Sequence, residues 1–192
     1  DEVWKEAIVS EDFKLAYGEM PKGKTKLYVM RDDQNLYIAV ECFEDAEVLK
    51  NLKTTATAHN QDSIWNDDEV ELFFDPSNKL ATSYQIIVNA KGISWNCSYI
   101  GAGEPDKSWD PKYDVATNVG KDSWTVEIAI PFAAFDRSDK SETAWAFNVV
   151  HSRAAAAEFI YWSPVFAATS HVPEKFGKLT GMPDRALKPS TK

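Results

Sequence analysis

The sequence predicts an all-β protein, an antiparallel β-sandwich or jelly roll of about ten strands with one or two short helical turns. Short segments that alternate apolar and polar residues recur along the chain, and turn residues separate them. Helical periodicity is weak and is confined to Ala46–Lys53 and Pro131–Phe135. We therefore expect one domain over residues 1–182, followed by a polar, proline-containing tail over residues 183–192.

Two hairpins are predicted first, each made of two alternating segments around a polar turn. They are Lys26–Arg31 with Leu36–Phe43, and Tyr84–Ala90 with Ile93–Ser98. Four later segments alternate in the same way and are also predicted to be strands: Ser123–Ile130, Ala144–Ser152, Phe159–Trp162 and Phe176–Leu179. Because their tryptophans fall on apolar faces, we expect Trp124 and Trp145 in the core, and Trp4 with them.

The segment Ser63–Asp75 is the most informative one for function. Trp65 lies in a polar, acidic loop, and the strand after it alternates apolar residues on one face with Glu69 and Glu71 on the other. A pyranose ring presents axial C–H groups to an aromatic face and hydroxyls to hydrogen-bond acceptors. An exposed indole beside carboxylates therefore suggests a sugar-binding surface. Full burial of Trp65 is disfavoured because its ionised neighbours would be buried with it.

Composition and charge limit the classes of partner. The chain has 192 residues, 44% of them hydrophobic and 12% aromatic, which is enough to build a substantial core. The formal net charge of −9 argues against nucleic acids and anionic membrane surfaces as partners. No apolar run approaches the ~20 residues that cross a bilayer.

Cys42 and Cys97 are the only cysteines, and neither lies in a CxxC motif. Zinc binding and thioredoxin-like chemistry are therefore disfavoured. Two buried thiols and a single disulfide both remain open for this pair.

Several short motifs, in this order along the chain, match a known pattern: Asp1-Glu2-x-Trp4, Leu36–Val40, Trp65-x-x-Asp68-x-Val70-Glu71, Tyr84-Gln85-x-x-Val88-Asn89, Trp124–Phe132, Phe147-Asn148 and Pro173-x-Lys175-Phe176-Gly177. Together they resemble the family 9 carbohydrate-binding modules, within the wider group of DOMON-like β-sandwiches. The resemblance implies a saccharide ligand and a place in a larger, multidomain secreted protein of polysaccharide degradation. The expected location is therefore extracellular or periplasmic.

The resemblance also implies site residues. Trp65 matches the first of two tryptophans that clamp a sugar, Glu71 a carboxylate that accepts sugar hydroxyls, and Asn89 an amide on the neighbouring strand. His171 is the only ring in the loop where the second clamp tryptophan falls. Three further residues are expected to flank the site: His59, Asp68 and Gln85.

Two other positions of the family pattern are apolar in this chain. Ile87 stands in place of an arginine, and Val150 stands in place of a glutamine. A sandwich that has lost its ligand and serves as a structural or interaction domain is therefore one alternative to sugar binding.

Haem binding is a second alternative, because DOMON-like sandwiches divide between sugar and haem ligands. The candidate axial ligands are Met20, Met30, His151 and His171, and the chain has no CxxCH motif for covalent attachment. His151 shares its strand face with apolar residues, however, and is also expected as a core or edge histidine.

The acidic residues bear on both catalysis and metal binding. Glu69 and Glu71 lie within the ~5–9 Å that separates the paired carboxylates of glycosidases. No pattern singles out a general acid, so we expect binding without catalysis, no catalytic residue and no catalytic cofactor. Structural Ca²⁺ is expected only from the resemblance and from the generic acidity of the loops, and no metal ligand is assigned.

Overall fold

The structure, a computed structural model, describes residues 2–101, 103–135 and 144–183. Eleven strands in these ranges, numbered along the chain, form two antiparallel sheets. The first sheet has the order β1 (Ile8–Ser10), β2 (Lys24–Arg31), β3 (Asn35–Phe43), β8 (Ser123–Pro131) and β7 (Asp114–Val119). The second sheet has the order β10 (Glu158–Tyr161), β9 (Ala144–Arg153), β4 (Glu69–Asp75), β5 (Thr82–Asn89) and β6 (Ser94–Ile100), and β11 (Gly177–Thr180) also pairs with β9.

Helical structure is short in the described ranges. The α-helix α1 covers Ala46–Lys50, and 3-10 turns cover Glu2–Glu6, Asp62–Asn66, Phe132–Ala134 and Pro173–Lys175. The predicted β-sandwich is confirmed, as are both hairpins and the four later strands. The sequence prediction missed β1 and β7, the two edge strands of the first sheet. Both are short and partly exposed, so they lack the strong apolar alternation that marks the inner strands.

The core lies between the two sheets. One continuous apolar cluster combines the inward faces of β2, β3 and β8 with those of β4, β5 and β9. Trp124 and Trp145 belong to it as predicted. His151 is buried there too, with its Nδ1 atom 2.9 Å from the Thr25 hydroxyl and its ring edge-on to Trp124. Burial lowers the His151 pKa to about 3, so this core histidine is neutral at pH 7.

Trp4 corrects one prediction. It is half-buried on the outer face of the first sheet and does not join the core between the sheets. Its indole Nε1 donates a hydrogen bond of 3.1 Å to Glu127, and its ring lies 6.2 Å from that of Tyr28. The 3-10 turn Glu2–Glu6 carries it there, and this turn precedes the first strand.

The cysteines are two free, buried thiols, so the thiol interpretation is confirmed. Cys42 lies in the core between the sheets, and Cys97 lies in a second apolar cluster with Trp95 and Ile87. The predicted tail over residues 183–192 lies outside the described residues apart from Pro183.

A buried ion pair joins the two sheets at one end. Glu44 directly follows β3 of the first sheet, and Arg153 is the last residue of β9 in the second. The Arg153 guanidinium donates to both Glu44 oxygens, at 2.5 Å and 2.7 Å, and also to Glu158. Because the Glu44 side chain is only 1% exposed, its charge depends on this partner.

Replacing Arg153 by Met should therefore destabilise the fold. The substitution leaves the Glu44 carboxylate buried without its cation, which typically costs about 3–5 kcal/mol. The free energy of unfolding, measured by urea denaturation, reports the loss. Lys50→Met is the matched control, since its pair with Glu47 is on the surface and should contribute less than about 1 kcal/mol. Equal effects of the two substitutions would contradict the linking role of Arg153.

Candidate functional site

Two long loops cover the outer face of the second sheet. The loop over residues 51–68 packs Ala56 and Ile64 on Ile87, Trp95 and Cys97. The loop over residues 162–176 contributes to a separate apolar cluster on the same face, which contains Phe73, Val150, Tyr161, Val165, Val172 and Phe176. The apolar residues Ile87 and Val150 thus form part of the floor under the two loops. Polar residues lie between these two clusters and form the candidate site.

Trp65 is an exposed aromatic ring on the loop over residues 51–68. It lies in the 3-10 turn Asp62–Asn66 and is 43% exposed, whereas Trp95 beneath it is 1% exposed. The two rings meet edge to face with centroids 5.0 Å apart. Asp62 accepts a 3.0 Å hydrogen bond from the Trp95 indole and a 2.5 Å hydrogen bond from Lys107. The position of Trp65 is therefore set by a buried tryptophan that is itself held in place.

Asp67 fixes the loop that carries Trp65. Its buried carboxylate accepts hydrogen bonds from the backbone N–H groups of Thr55 and Ala56, from the Thr55 hydroxyl and from the Asn89 amide. The Asn89 side-chain oxygen in turn accepts from the backbone N–H groups of Lys91 and Ile93. These bonds tie the loop over residues 51–68 to the β5–β6 turn.

Asn89 is consequently not placed as a ligand contact. Its Nδ2 donates to Asp67 and to the Ala56 carbonyl, and its oxygen accepts two backbone hydrogen bonds. An amide has two donor hydrogens and two acceptor lone pairs, so its capacity is used within the protein. The structure therefore gives Asn89 a role in holding the loop, and the proposed ligand contacts below do not include it.

Glu71 begins a buried chain of polar side chains. Its Oε2 accepts a 2.6 Å hydrogen bond from Gln85, and the Gln85 oxygen accepts a 2.8 Å hydrogen bond from the Tyr99 hydroxyl. The Ser170 hydroxyl lies 3.1 Å from the Tyr161 hydroxyl and acts to lower the pKa of Glu71, against the larger effect of burial. Glu71 is only 2% exposed, so β4 does not present its carboxylates to solvent as the sequence suggested.

His171 closes this chain from the outside. Its ring stacks on Tyr99 with centroids 4.0 Å apart and an interplanar angle of 22°. Its Nε2 lies 2.8 Å from the Ser83 hydroxyl. Burial lowers the His171 pKa, which favours the neutral ring at pH 7. His171 is therefore half-buried against Tyr99. It does not lie opposite Trp95, the buried ring that supports Trp65.

Burial dominates the electrostatics of the site. It raises the pKa of Glu71 to about 7 and raises the pKa of Glu69 well above its usual range, and the charge of Glu71 adds to the shift of Glu69. Within the described residues, the Oε2 atom of Glu69 has no hydrogen-bond partner. At neutral pH Glu69 and Glu71 are therefore not both fully ionised.

The remaining flanking residues are brought to different places. His59 is exposed and bridges Ser94 and Asp110, with its two ring nitrogens at 3.0 Å and 2.9 Å from their oxygens. Asp68 is buried and accepts the backbone N–H groups of Lys53 and Ala154. His59 thus belongs to the rim near Trp65, whereas Asp68 is part of the loop attachment.

Three buried aspartates of the Ser63–Asp75 segment already use their oxygens within the protein. Asp67, Asp68 and Asp75 direct their oxygens at backbone N–H donors, which repel a cation. Within residues 2–101, 103–135 and 144–183, no group of three or more His, Cys, Asp or Glu side chains is placed to hold a metal ion.

The haem alternative also finds no support in the arrangement. His151 lies in the core between the sheets, while Met30 follows the inward-facing Val29 on β2 and so points away from that core. His171 lies on the outer face of the opposite sheet. These side chains do not converge on one pocket.

The family of the chain follows from comparison with known proteins. The sequence profile described as "Carbohydrate family 9 binding domain-like" matches residues 1–181. The chain belongs to this family of carbohydrate-binding domains. No curated protein gives a significant match.

Solved structures share the fold at low sequence identity. A family 9 carbohydrate-binding module from Caldicellulosiruptor kristjanssonii in complex with cellotriose has a TM-score of 0.63 and 20% identity, covering 100% of this chain and 92% of that one. A structure from the same organism in complex with glucose has a TM-score of 0.61 and 19% identity, with the same coverage. A protein from Bacteroides uniformis has a TM-score of 0.68 and 17% identity, covering 88% of this chain and 86% of that one.

The structure adds residues that the sequence did not single out. Trp95 supports Trp65, Tyr99 stacks on His171, and Ser170 acts on the pKa of Glu71. Trp95 and Tyr99 alternate with Cys97 on one face of β6, which is the signal that could have placed both rings on this sheet face.

No helix of the described ranges is long and apolar enough to cross a bilayer.

The Glu71 carboxyl group should make stability depend on pH. Its folded-state pKa of about 7 lies above the value of 4.5 expected in the unfolded chain, so the folded state binds the proton more tightly. The resulting stabilisation is complete below about pH 4.5 and is lost as the pH rises through 7. Glu71→Gln keeps the acceptor for Gln85 and removes this titration.

The free energy of unfolding of both proteins should be measured from pH 4.5 to pH 8.5. We expect the difference between Glu71→Gln and the parent to shift in favour of the variant by on the order of 2–3 kcal/mol across this range. A difference that is constant with pH would show that Glu71 has an ordinary pKa.

Proposed function

We propose that this domain binds carbohydrate without catalysis and that the indole of Trp65 is its stacking surface. The observation that carries the proposal is this ring, 43% exposed on a loop that hydrogen bonds fix to the sheet. Membership of a carbohydrate-binding family gives the ligand class. An exposed indole of this kind offers its face to the axial C–H groups of a pyranose.

The rigidity of Trp65 favours binding. Its edge-to-face contact with Trp95 and the hydrogen bond from Trp95 to Asp62 hold the ring in place before any ligand arrives. Ordering a mobile side chain costs about 0.5–1.5 kcal/mol on binding, and a ring that is already ordered avoids much of this cost. The exposed polar side chains of Asp62, His59 and Asp110 lie on the same rim and supply hydrogen-bonding groups for sugar hydroxyls.

Glu71 and His171 take a secondary place in this proposal. Glu71 is only 2% exposed, so a sugar hydroxyl reaches its carboxylate only when the covering loop moves. His171 is the exposed side of the same polar chain and is the ring that a ligand meets first there. We therefore assign the primary contact to Trp65 and a contact that requires loop movement to His171 and Glu71.

Glucose-based saccharides are the ligands to test first. Two structures with this fold were solved with cellotriose and with glucose. One sugar face that covers one indole hides on the order of 100 Å² of apolar surface, which contributes about 2–3 kcal/mol. With a histidine in place of a second tryptophan, we expect a dissociation constant toward the millimolar end of the micromolar-to-millimolar range.

The absence of catalysis rests on the burial of the paired carboxylates. Glu69 and Glu71 are 1% and 2% exposed and lie under covering loops, so neither offers a proton to a bound glycoside. A binding role without catalysis agrees with targeting of a secreted protein or hydrolase to glycan, outside the cytoplasm. We propose that biological setting together with the binding activity.

The proposal is tested by Trp65→Ala. Binding of cellotriose, followed by isothermal titration calorimetry and on a glycan array, should fall at least tenfold because about 2–3 kcal/mol of stacking is lost. The free energy of unfolding should change by less than about 1 kcal/mol, since the ring is largely on the surface.

Phe159→Ala is the control, because this ring is 45% exposed and lies on β10, at the opposite edge of the sheet from β6. It should leave saccharide binding unchanged. Unaltered binding by Trp65→Ala, or equal losses in both variants, would remove Trp65 as the stacking surface.

A further inference from the structure

The outer face of the first sheet carries a second set of aromatic and acidic side chains. Strand register places Tyr28, Ala39, Glu127 and Ala116 in one row across β2, β3, β8 and β7. The neighbouring row contains Glu41 opposite Thr125. Alanines thus flank Glu127 on both sides and leave open space above the sheet.

Trp4 lies over this row and divides the space. Its indole donates to Glu127, and its ring lies 6.2 Å from Tyr28 at an angle of 54°. A cavity of about 310 Å³ on one side is lined by Trp4, Tyr28 and Glu41 among others. A second cavity of about 260 Å³ on the other side is lined by Trp4, Tyr37, Ala116 and Ala129 among others. Both cavities share Trp4 and Glu127.

The polar groups of the larger cavity are placed to accept hydrogen bonds. Glu41 accepts from the Ser123 hydroxyl at 3.1 Å through one oxygen and from the Tyr28 hydroxyl at 3.3 Å through the other. Each carboxylate oxygen has two lone pairs, so Glu41 keeps acceptor capacity toward the cavity. Glu41 and Glu127 are diagonal neighbours on adjacent strands, which typically lie about 7–8 Å apart, and somewhat less at their β-carbons.

The charge around the cavity disfavours an anionic ligand. Two carboxylates, Glu41 and Glu127, line the cavity, and the nearby lysines Lys5 and Lys26 already pair with Glu2 and Glu11. The two carboxylates therefore remain as acceptors for the hydroxyl groups of a neutral ligand. The volume is at the lower end of the roughly 300–1,000 Å³ of small-molecule sites, which suits a single sugar ring.

We propose that the outer face of the first sheet is a second saccharide-binding site, with one sugar ring in the cavity between Trp4, Tyr28 and Glu41. The aromatic rings take the C–H face of the sugar, and Glu41 and Glu127 accept its hydroxyls. The smaller cavity beyond Trp4 accommodates an adjoining unit. The site uses no residue of the Trp65 surface, which lies on the other sheet, and it rests on the proposed function only for the choice of ligand.

The test combines substitutions at the two surfaces. Cellotriose and glucose binding are measured by calorimetry and by saturation-transfer difference spectra for the parent, Trp65→Ala, Tyr28→Ala and the double variant. We expect two sites in the parent, one in each single variant and none in the double variant. Glu41→Gln keeps the shape of the cavity and should weaken the binding that remains in Trp65→Ala at least threefold.

Phe43→Ala is the matched control. Phe43 lies on the same face of β3, two residues beyond Glu41, and a lysine ammonium lies 5.2 Å from its ring centroid, as for Tyr28. Phe43 is outside the residues that line the cavity. Its replacement should leave both sites intact, and thermal melting of every variant checks that the fold is retained.

The outcomes separate the two proposals. Loss of all saccharide binding in Trp65→Ala would overturn the second site and leave the first. Residual binding in Trp65→Ala that is insensitive to Tyr28→Ala and Glu41→Gln would also overturn it. Unchanged binding in Trp65→Ala together with complete loss in Tyr28→Ala would overturn the Trp65 proposal and support the site on the first sheet. No binding to the parent would overturn both.

Discussion

The Asp67 carboxylate is the interaction on which the candidate site depends. It gathers the backbone N–H groups of Thr55 and Ala56 and the Asn89 amide around one buried charge. These bonds hold the loop over residues 51–68 on the second sheet, and that loop carries Trp65 above Trp95. Hydrogen bonds to a charged group contribute about 1.5–3 kcal/mol each, so the loop is tied down more firmly than exposed loops usually are. The exposed position of the Trp65 ring therefore depends on the buried Asp67 carboxylate.

Two other carboxylates of the Ser63–Asp75 segment, those of Asp68 and Glu71, are also hydrogen-bonded within the protein. Asp68 accepts from the loop backbone, and Glu71 accepts from Gln85. Burial raises the pKa of Glu71 to about 7, which keeps much of its charge off the site near neutral pH. The surface that a sugar meets first is therefore aromatic, and acceptors lie at its rim. Such a surface suits weak, reversible binding of a neutral ligand.

The sequence predicted most of the fold because alternation of apolar residues is a local signal. It also predicted that Trp65 is exposed, but part of its reason was wrong, because the neighbouring carboxylates of Asp67 and Asp68 are buried and hydrogen-bonded within the protein. It could not predict that the hydrogen-bonding groups of the Asn89 side chain are occupied within the protein, because its partners Asp67 and Ala56 come from a distant loop. The position of Trp4 likewise depends on Tyr28 and Glu127, which belong to two other strands. Contacts between remote segments leave no periodic trace in a single sequence.

The central claim, that a saccharide stacks on Trp65, is tested most directly by the indole N–H signals of the seven tryptophans in a ¹H–¹⁵N spectrum during titration with cellotriose. Indoles in the core between the sheets, those of Trp124 and Trp145, should not move. We predict a saturable shift of the Trp65 signal, with a smaller shift of Trp95 beneath it. A Trp65 signal that stays fixed while cellotriose binds would contradict the account.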